Sequence, residues 1–309
     1  MATYLVTGGA GFIGSNIVRT LVERGERVRV LDNLSTGRID NIKAFLDSID
    51  FIEGDITDMA VVQKAVNGVD FVLHHAAIPS VPRSVDDPVL TNRANIEGTL
   101  TLLVASREAG VKRFIYAASS SAYGDSPIMP KEESMPTSVN SPYALQKLTG
   151  EHYCQMFFKL YGLQTVCLRY FNVFGPHQDP DSPYSAVIPV FIKKIARGES
   201  PTIFGDVSRD FTYVDNNVLA MILACHAPDT CAGEVINIAT GVEISLDQLV
   251  EKINTVLGTQ IQPTRGPLRA GDVAHSLADI SKAQKLLGYK VAVGFDEGLR
   301  RTIAFYTNQ

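Results

Sequence analysis

The feature that most constrains the fold of this 309-residue chain is a short apolar run followed by regularly spaced glycines. The run covers residues 4–6, and the turn and helix start behind it are Gly8, Gly11, Phe12, Ile13 and Gly14. Glycines at this spacing allow a tight turn, close approach of a pyrophosphate, and close packing of helix on sheet. The phosphates would lie on unpaired N–H groups at the helix N-terminus. The pattern predicts a dinucleotide site; the alternative is a glycine-rich turn with no ligand.

The first 170 residues alternate short β-rich runs with longer helical stretches. Repetition of strand, helix and strand predicts a parallel sheet with right-handed crossovers, and apolar runs indicate strands buried on both faces. The predicted strands are 4–6, 28–31, 70–73, 114–117 and 166–169, and predicted helices include 15–24 and 91–109. The predicted fold class is α/β, a Rossmann-type doubly wound parallel sheet with a smaller C-terminal α/β substrate domain.

The pattern changes after Gly175, where four prolines fall within fourteen residues. We predict a cofactor-binding domain over 1–172, with a return segment near 210–240, and a substrate domain over 173–309. Within the second half, Ser245 and Gln248 have capping-box spacing in front of an apolar stripe, which predicts a helix. Ser281 is expected to cap a short helix that ends at Gly288.

The composition and the apolar pattern give no support for several kinds of partner and site. A formal net charge of −5 gives no reason to expect nucleic acid or an anionic membrane. The four cysteines lack CxxC spacing, so we expect reduced thiols, and we expect no metal. The first residues run directly into the first strand, and no apolar stretch approaches about 18 residues. We therefore expect no signal peptide, no spanning helix and a cytoplasmic protein.

The residue at the end of the second predicted strand indicates which dinucleotide is bound. Asp32 comes about 20 residues after the glycines, where a carboxylate accepts hydrogen bonds from both ribose hydroxyls and repels a 2′-phosphate. NAD is therefore expected rather than NADP, although a plain strand-end turn at Asp32-Asn33 remains the alternative. Asp55 falls where a third strand should end, and either contacts the adenine amino group or forms an Asx turn.

A candidate acid/base pair lies about 130 residues after the glycines. Tyr143 and Lys147 are one helical turn apart, and Ser141-Pro142 is a helix-start signal before them. An unperturbed Tyr needs about three pKa units, about 4 kcal/mol, to be half ionised at pH 7. A nearby ammonium and a positive nicotinamide ring can favour the phenolate. Ser119 to Ser121 come directly after a predicted strand, so their hydroxyls should lie at the ligand-binding edge of the sheet. The alternative for Tyr143 and Lys147 is a pair of side chains on the surface of an amphipathic helix, with no catalytic role.

Taken in order, these motifs resemble the extended short-chain dehydrogenase/reductase superfamily over nearly the whole chain. Within it, the chain is similar to the UDP-hexose 4-epimerases, especially those acting on UDP-N-acetylglucosamine. The matching segments are Thr7 to Gly14, Asp32-Asn33, His75 to Ala77, Ser119 to Gly124, Ser141 to Lys147 and Arg169 to Val173.

The resemblance implies a role for each matching position. Ser119 would hydrogen-bond the sugar O4 and relay its proton, Tyr143 would be the base, and Lys147 its electrostatic partner and the anchor of the nicotinamide ribose. The further implied NAD contacts are Asn33, Asp55, Ile56, Ala76, Ala77 and Tyr170. The implied UDP-sugar contacts are Ser80, Ser120, Ser121, Asn172, Arg209, Arg269, Asp272 and Ser276. The two arginines would bind the diphosphate.

One departure separates this chain from part of that group. One epimerase branch carries a Lys two residues after an Ala-Gly at the end of its fourth strand. Here that stretch reads Ala76 to Val81, with Ala-Ala and then Ser-Val, which resembles another branch and makes Ser80 a substrate contact.

Related enzymes share the oxidation of C4 to a 4-ketone and differ in the step after it. A 4,6-dehydratase needs an Asp-Glu pair beside the catalytic Ser or Thr, and a UDP-glucuronate decarboxylase has a Glu two residues after it. Here those neighbours are Ser120 and Ser121, which cannot act as acids near neutral pH. We therefore predict 4-epimerisation. The alternatives are another NAD-dependent nucleotide-sugar enzyme, or a non-catalytic NAD-binding regulator, which would typically lack the Tyr/Lys pair.

Helices near 91–110 and 143–160 resemble the pair that forms a dimeric four-helix bundle in the family, so a homodimer is expected.

Overall fold

The computed structural model describes residues 1–180, 186–267 and 274–307. In the first half the strands are β1 (Thr3–Thr7), β2 (Arg27–Asp32), β3 (Ile49–Glu53), β4 (Phe71–His74), β5 (Arg113–Ser119) and β6 (Thr165–Tyr170). The helices between them are α1 (Phe12–Glu23), α2 (Met59–Val66), α3 (Val81–Asp86), α4 (Pro88–Asn92), α5 (Gly98–Glu108) and α6 (Pro142–Tyr161). Short 3₁₀ turns cover Ile39–Asn41, Lys43–Ser48 and Ser120–Tyr123, and a π turn covers Arg93–Glu97.

The second half has shorter elements. Its strands are β7 (Val173–Phe174), β8 (Thr202–Phe204), β9 (Ser208–Asp210), β10 (Thr212–Tyr213), β11 (Val235–Ile238), β12 (Glu243–Ser245), β13 (Thr264–Gly266) and β14 (His275–Ser276). Its helices are α7 (Val187–Ala196), α8 (Val214–His226), α9 (Leu246–Leu257), α10 (Ser281–Leu287) and α11 (Phe295–Thr307). A 3₁₀ turn covers Asp229–Cys231. Small sheets pair β10 with β7, β13 with β8, and β12 and β14 with β9.

A parallel seven-stranded sheet in the order β11-β6-β5-β4-β1-β2-β3 is the centre of the fold. Successive residues of a strand face opposite sides, so neighbours such as Leu5 and Val6 enter two different cores, one on each face. Each fully buried side chain of this kind contributes about 1.5–3 kcal/mol. This two-sided burial explains why the strands read as continuous apolar runs, and it confirms the predicted fold class.

Strand β11 comes from the second half of the chain yet pairs with β6, with Val235 opposite Cys167 and Ile238 opposite Tyr170. Residues 235–238 thereby extend the sheet built mainly by the first half. The carboxyl ends of its strands meet along one edge, where ligands bind in such sheets.

The helical stretch predicted over 91–109 is present, with one π turn inside it, in which the Asn95 side chain hydrogen-bonds both the N–H and the carbonyl of Ile78, at 2.8 and 3.0 Å. One local prediction was wrong. Ser281 is not the cap of α10; it is the first helical residue, and the Asp279 carboxylate accepts its N–H at 2.8 Å. An Asp side chain two residues earlier is well placed to accept this N–H in an Asx turn. The capping box at Ser245 is present, and α10 ends before Gly288 as predicted.

Candidate active site

A cavity of about 750 Å³ opens at the carboxyl edge of the sheet. The structure brings most of the predicted ligand-binding residues to its walls, although they come from segments distributed over more than half of the chain. The predicted residues that line it are Gly8, Gly11, Phe12, Ile13, Gly14, Asp32, Asn33, Asp55, Ile56, Ala76, Ala77, Ser119, Tyr143, Lys147, Tyr170 and Asn172.

The glycine turn is closely packed. Gly8 has a φ of +68°, and a Cβ there would lie 2.7 Å from the Ala76 nitrogen. A Cβ on Gly14 would overlap the carbonyl oxygen of Gly8. Helix α1 begins after Gly11 without a side-chain cap, so its first N–H groups are available to an anion. These residues fit the diphosphate of a dinucleotide.

Asp32 is held in a fixed orientation at the end of β2. Its carboxylate accepts the Ala10 N–H at 2.9 Å and the Leu34 N–H at 2.8 Å, and burial raises its pKa. The carboxylate retains further lone pairs for a ribose diol. Asp55 forms the Asx turn with Thr57, through its N–H at 2.8 Å, and also accepts a bond from Asn33 at 2.8 Å. Both carboxylates nevertheless line the cavity.

We expect the purified protein to contain NAD and not NADP, because the Asp32 carboxylate would repel a 2′-phosphate. Chromatography of the nucleotide released on denaturation measures this directly. In Asp32→Asn, which keeps an acceptor and loses the charge, the ratio of NADP to NAD affinity should rise. Mainly NADP in the unmodified protein would contradict the role given to Asp32.

The catalytic candidates converge at one end of the cavity. Ser119 ends β5, and Tyr143 lies in the first turn of α6. Both line the cavity, and the Ser119 hydroxyl acts to lower the pKa of the Tyr143 phenol. One turn later, the Lys147 ammonium donates to the Ala117 carbonyl at 2.9 Å. Parallel strand ends and a crossover helix therefore place a hydroxyl, a phenol and an ammonium on the same wall.

Burial changes the acidity of both members of the Tyr/Lys pair. It raises the pKa of Tyr143 to about 12, against the opposing effect of the Ser119 hydroxyl. It lowers the pKa of Lys147 to about 8, against the carboxylate of Glu151, which favours the ammonium. The protein groups around Tyr143 thus do not by themselves produce a low pKa, and we expect the nicotinamide charge to be needed in addition.

The remaining predicted contacts lie nearby or outside the described residues. Ser121 donates its hydroxyl to Ser119 at 2.9 Å, and Ser120 lies between them. Ser80 precedes α3 with a φ of +94°. Arg209 in β9 pairs in register with Ser276 in β14. None of these five lines the cavity as the described residues form it. Arg269 and Asp272 lie outside the described residues.

Sequence reasoning assigned no role to several other residues of the cavity wall. His75 stacks on Tyr170 and lies 3.2 Å from its hydroxyl, and burial together with the charge of Lys147 lowers its pKa to about 3. Its place in the segment His75 to Ala77, which resembles the superfamily, was the one sequence signal that could have identified it. Arg83, Leu90 and Arg93 also line the cavity. These three belong to short helical segments, and the local sequence does not predict how such segments are oriented relative to the sheet.

Among the residues that the structure describes, no cluster of three or more His, Cys, Asp or Glu side chains could hold a metal ion. No helix there is sufficiently long and apolar to cross a membrane. The cysteine residues, Cys154, Cys167, Cys225 and Cys231, are buried free thiols.

Comparison with known proteins identifies clear relatives. Residues 4–239 match the model of the "NAD dependent epimerase/dehydratase family". A UDP-glucose 4-epimerase of Mycolicibacterium smegmatis is 37% identical over 99% of this chain and 98% of its own.

Solved structures agree with this match. A UDP-N-acetylglucosamine 4-epimerase from Methanobrevibacter ruminantium M1, in complex with UDP-N-acetylmuramic acid, superimposes with a TM-score of 0.95 and 41% identity, over 99% of this chain and 98% of that one. A UDP-glucose 4-epimerase from Thermotoga maritima with UDP-glucose gives a TM-score of 0.93 and 38% identity, over 99% of both chains.

Proposed function

This chain belongs to the NAD dependent epimerase/dehydratase family, and from that premise we propose that it epimerises a UDP-hexose at C4. The family match confirms the predicted superfamily and NAD as the cofactor, and it makes the chain an NAD-dependent enzyme. The observation that carries the proposal is that Ser119, Tyr143 and Lys147 all line one cavity, whose wall also includes the glycine turn expected to hold a dinucleotide.

The reaction would be divided among three side chains and the cofactor. NAD, when bound, supplies the hydride acceptor and a positively charged ring. Tyr143 as phenolate takes the O4 proton, while Ser119 hydrogen-bonds O4 and relays that proton. Lys147 supplies positive charge beside the phenolate and anchors the nicotinamide ribose. Loss of the O4 proton and the C4 hydride gives the 4-keto sugar. After it has turned over in the cavity, the hydride returns to the other face of C4 and Tyr143 returns the proton to O4, which forms the other epimer.

The residues beside Ser119 support epimerisation over elimination or decarboxylation. Either competing reaction needs a carboxyl group next to the catalytic hydroxyl. Ser120 and Ser121 have none, and Ser121 instead directs its hydroxyl at Ser119. The 4-keto sugar would therefore meet no carboxyl group at these two positions that could promote elimination or decarboxylation.

We assign UDP recognition to the second half of the chain, 173–309, with Asn172 at its boundary. Arg209 and Arg269 would bind the diphosphate, Asp272 and Ser276 would lie in the same segment as Arg269, and Ser80, Ser120 and Ser121 would approach the sugar. The register that places Ser276 opposite Arg209 supports one shared site for both. The related structures named for UDP-N-acetylglucosamine and for UDP-glucose support both sugars as candidates.

The substrate would be UDP-N-acetylglucosamine and UDP-N-acetylgalactosamine, with the non-acetylated pair also accepted. Ser276 is small, and it resembles the position at which the family selects for the sugar C2 substituent, where a small residue leaves space for an N-acetyl group. Ser276→Tyr should remove most activity on acetylated sugars and preserve activity on UDP-glucose, because overpacking a closed pocket costs about 1–3 kcal/mol. Side-by-side turnover of the two sugars measures the ratio, and Ser276→Ala is the control. An unchanged ratio in Ser276→Tyr would mean that another residue selects for the C2 substituent.

The whole proposal is tested by incubating the protein with UDP-N-acetylglucosamine or UDP-glucose and separating the epimers. Because hydride returns to the same sugar, turnover should need no added cofactor and should accumulate no net NADH. Formation of a dehydrated or decarboxylated product would favour the neighbouring enzymes, and no conversion of any UDP-hexose would contradict the proposal.

We also propose a homodimer that uses helices near 91–110 and 143–160. Helix α6 supports this, because Leu145, Met156 and Leu160 are 52%, 46% and 63% exposed along it. Apolar side chains grouped on one helix are typical of an interface. Sedimentation equilibrium measures the mass, and a protein that remains monomeric at micromolar concentration would contradict the dimer.

A further inference from the structure

The start of α6 is capped by two serines from different parts of the chain. Ser141 accepts the Ala144 N–H at 3.1 Å, as expected for an N-cap. Ser84 of α3 accepts the Tyr143 N–H at 3.0 Å, across 59 positions of sequence. Pro142 has no N–H, so these two hydroxyls satisfy the donors that a helix start leaves unpaired.

The Ser84 hydroxyl is fixed in direction. Its side chain is buried, and its own proton is donated to the Val81 carbonyl at 2.7 Å, which leaves a lone pair for Tyr143. Helix α3 is itself fixed at its start, because Ser80 caps it through the Arg83 N–H at 3.4 Å. The acceptor that faces Tyr143 is therefore part of a rigid turn.

The Ser84 hydroxyl contacts the backbone N–H of Tyr143, so it can affect the phenol only through the backbone. Ser84 does not line the cavity within the described part of the chain, whereas Tyr143 does. Lys147 is held separately, by the Ala117 carbonyl. Loss of the Ser84 bond would therefore release the first turn of α6 and displace the phenol relative to Ser119 and Lys147.

We propose that Ser84 is a positioning residue for Tyr143. It holds the first turn of α6 so that the phenol meets Ser119 and the sugar O4 in one geometry. A misplacement of about 1 Å in a catalytic group can reduce the rate by about 10²-fold. The assignment rests on the proposed epimerase function, since it is the phenol of Tyr143 that must be positioned.

The test separates positioning from ordinary helix capping. Ser84→Ala should lower kcat by roughly tenfold, with KM and the content of bound NAD within about twofold of the parent. Ser245→Ala, which removes the capping-box hydroxyl of α9, is the matched control and should lower the melting temperature without changing kcat. Equal kcat in the two variants would overturn the proposal.

A double-mutant cycle provides the second readout. In a Tyr143→Phe background the backbone N–H is retained but there is no phenol to position, so adding Ser84→Ala should leave the residual turnover unchanged. The same fold-loss in both backgrounds would mean a structural role only and would overturn the proposal. If Ser84→Ala does not fold, Ser84→Cys, which keeps a weak acceptor of similar size, replaces it in both backgrounds with the same expected and contrary results.

Hydrogen exchange distinguishes this proposal from the proposed function. Exchange at the start of α6, measured by mass spectrometry, should accelerate in Ser84→Ala and not in Ser245→Ala, whether or not the parent turns over a UDP-hexose. No turnover by the parent would overturn the epimerase function. Unchanged exchange in Ser84→Ala would overturn the role of Ser84.

Discussion

Tyr143→Phe is expected to reduce turnover by about 10²-fold or more, the effect of losing a general base. The phenylalanine ring keeps the shape of the half-buried side chain, and the backbone N–H at position 143 still bonds Ser84, so fold and NAD content should be preserved. Only the phenolic hydroxyl, which faces the cavity that Ser119 and Lys147 also line, is lost. Epimerisation of UDP-N-acetylglucosamine and UDP-glucose by the variant measures the effect.

A matched control is available on the same helix. Tyr153 lies on α6 but is not part of the cavity wall that the described residues form, and Tyr153→Phe should turn over like the parent. If Tyr143→Phe retained activity within a few-fold of the parent, Tyr143 would not be the base, and another acid/base would have to be sought on the cavity wall.

Arg169→Leu is expected to destabilise the protein by about 3–5 kcal/mol, because it leaves the carboxylate of Glu151 buried without a partner. Arg169 pairs with Glu151 through two hydrogen bonds, at 2.9 and 2.7 Å, and the side chains are only 5% and 2% exposed. The guanidinium also lies 4.7 Å from the centre of the Tyr123 ring. Denaturant unfolding of the NAD-bound protein measures the free energy of unfolding.

The double variant Glu151→Leu with Arg169→Leu separates the two contributions. If the unpaired charge causes the loss, removing both groups should recover most of the stability, since buried ion pairs are often replaceable by apolar side chains. An Arg169→Leu variant within about 1 kcal/mol of the parent would mean that water or another donor reaches Glu151.

The site residues differ in how far local sequence can identify them. The glycine turn, Asp32, and the Tyr143/Lys147 pair are recognisable because each role requires a residue type at a fixed spacing within one element. Ser84, His75 and Arg83 were given no role in the sequence analysis, because their contacts depend on which segment packs beside them. Arg209 and Ser276 are 67 residues apart, and only the pairing of β9 with β14 brings them together.

The sequence by itself determined the alternation of strands and helices, the parallel sheet, the dinucleotide turn and the helical spacing of Tyr143 and Lys147. These properties depend on neighbours within a few residues, where side-chain periodicity and backbone conformation are directly linked. Only the tertiary structure decided that β11 joins the sheet, that Arg169 neutralises Glu151, and that Ser84 meets Tyr143. Such contacts join residues distant along the chain, and their energy comes from burial and hydrogen bonding that exist only once the elements have packed.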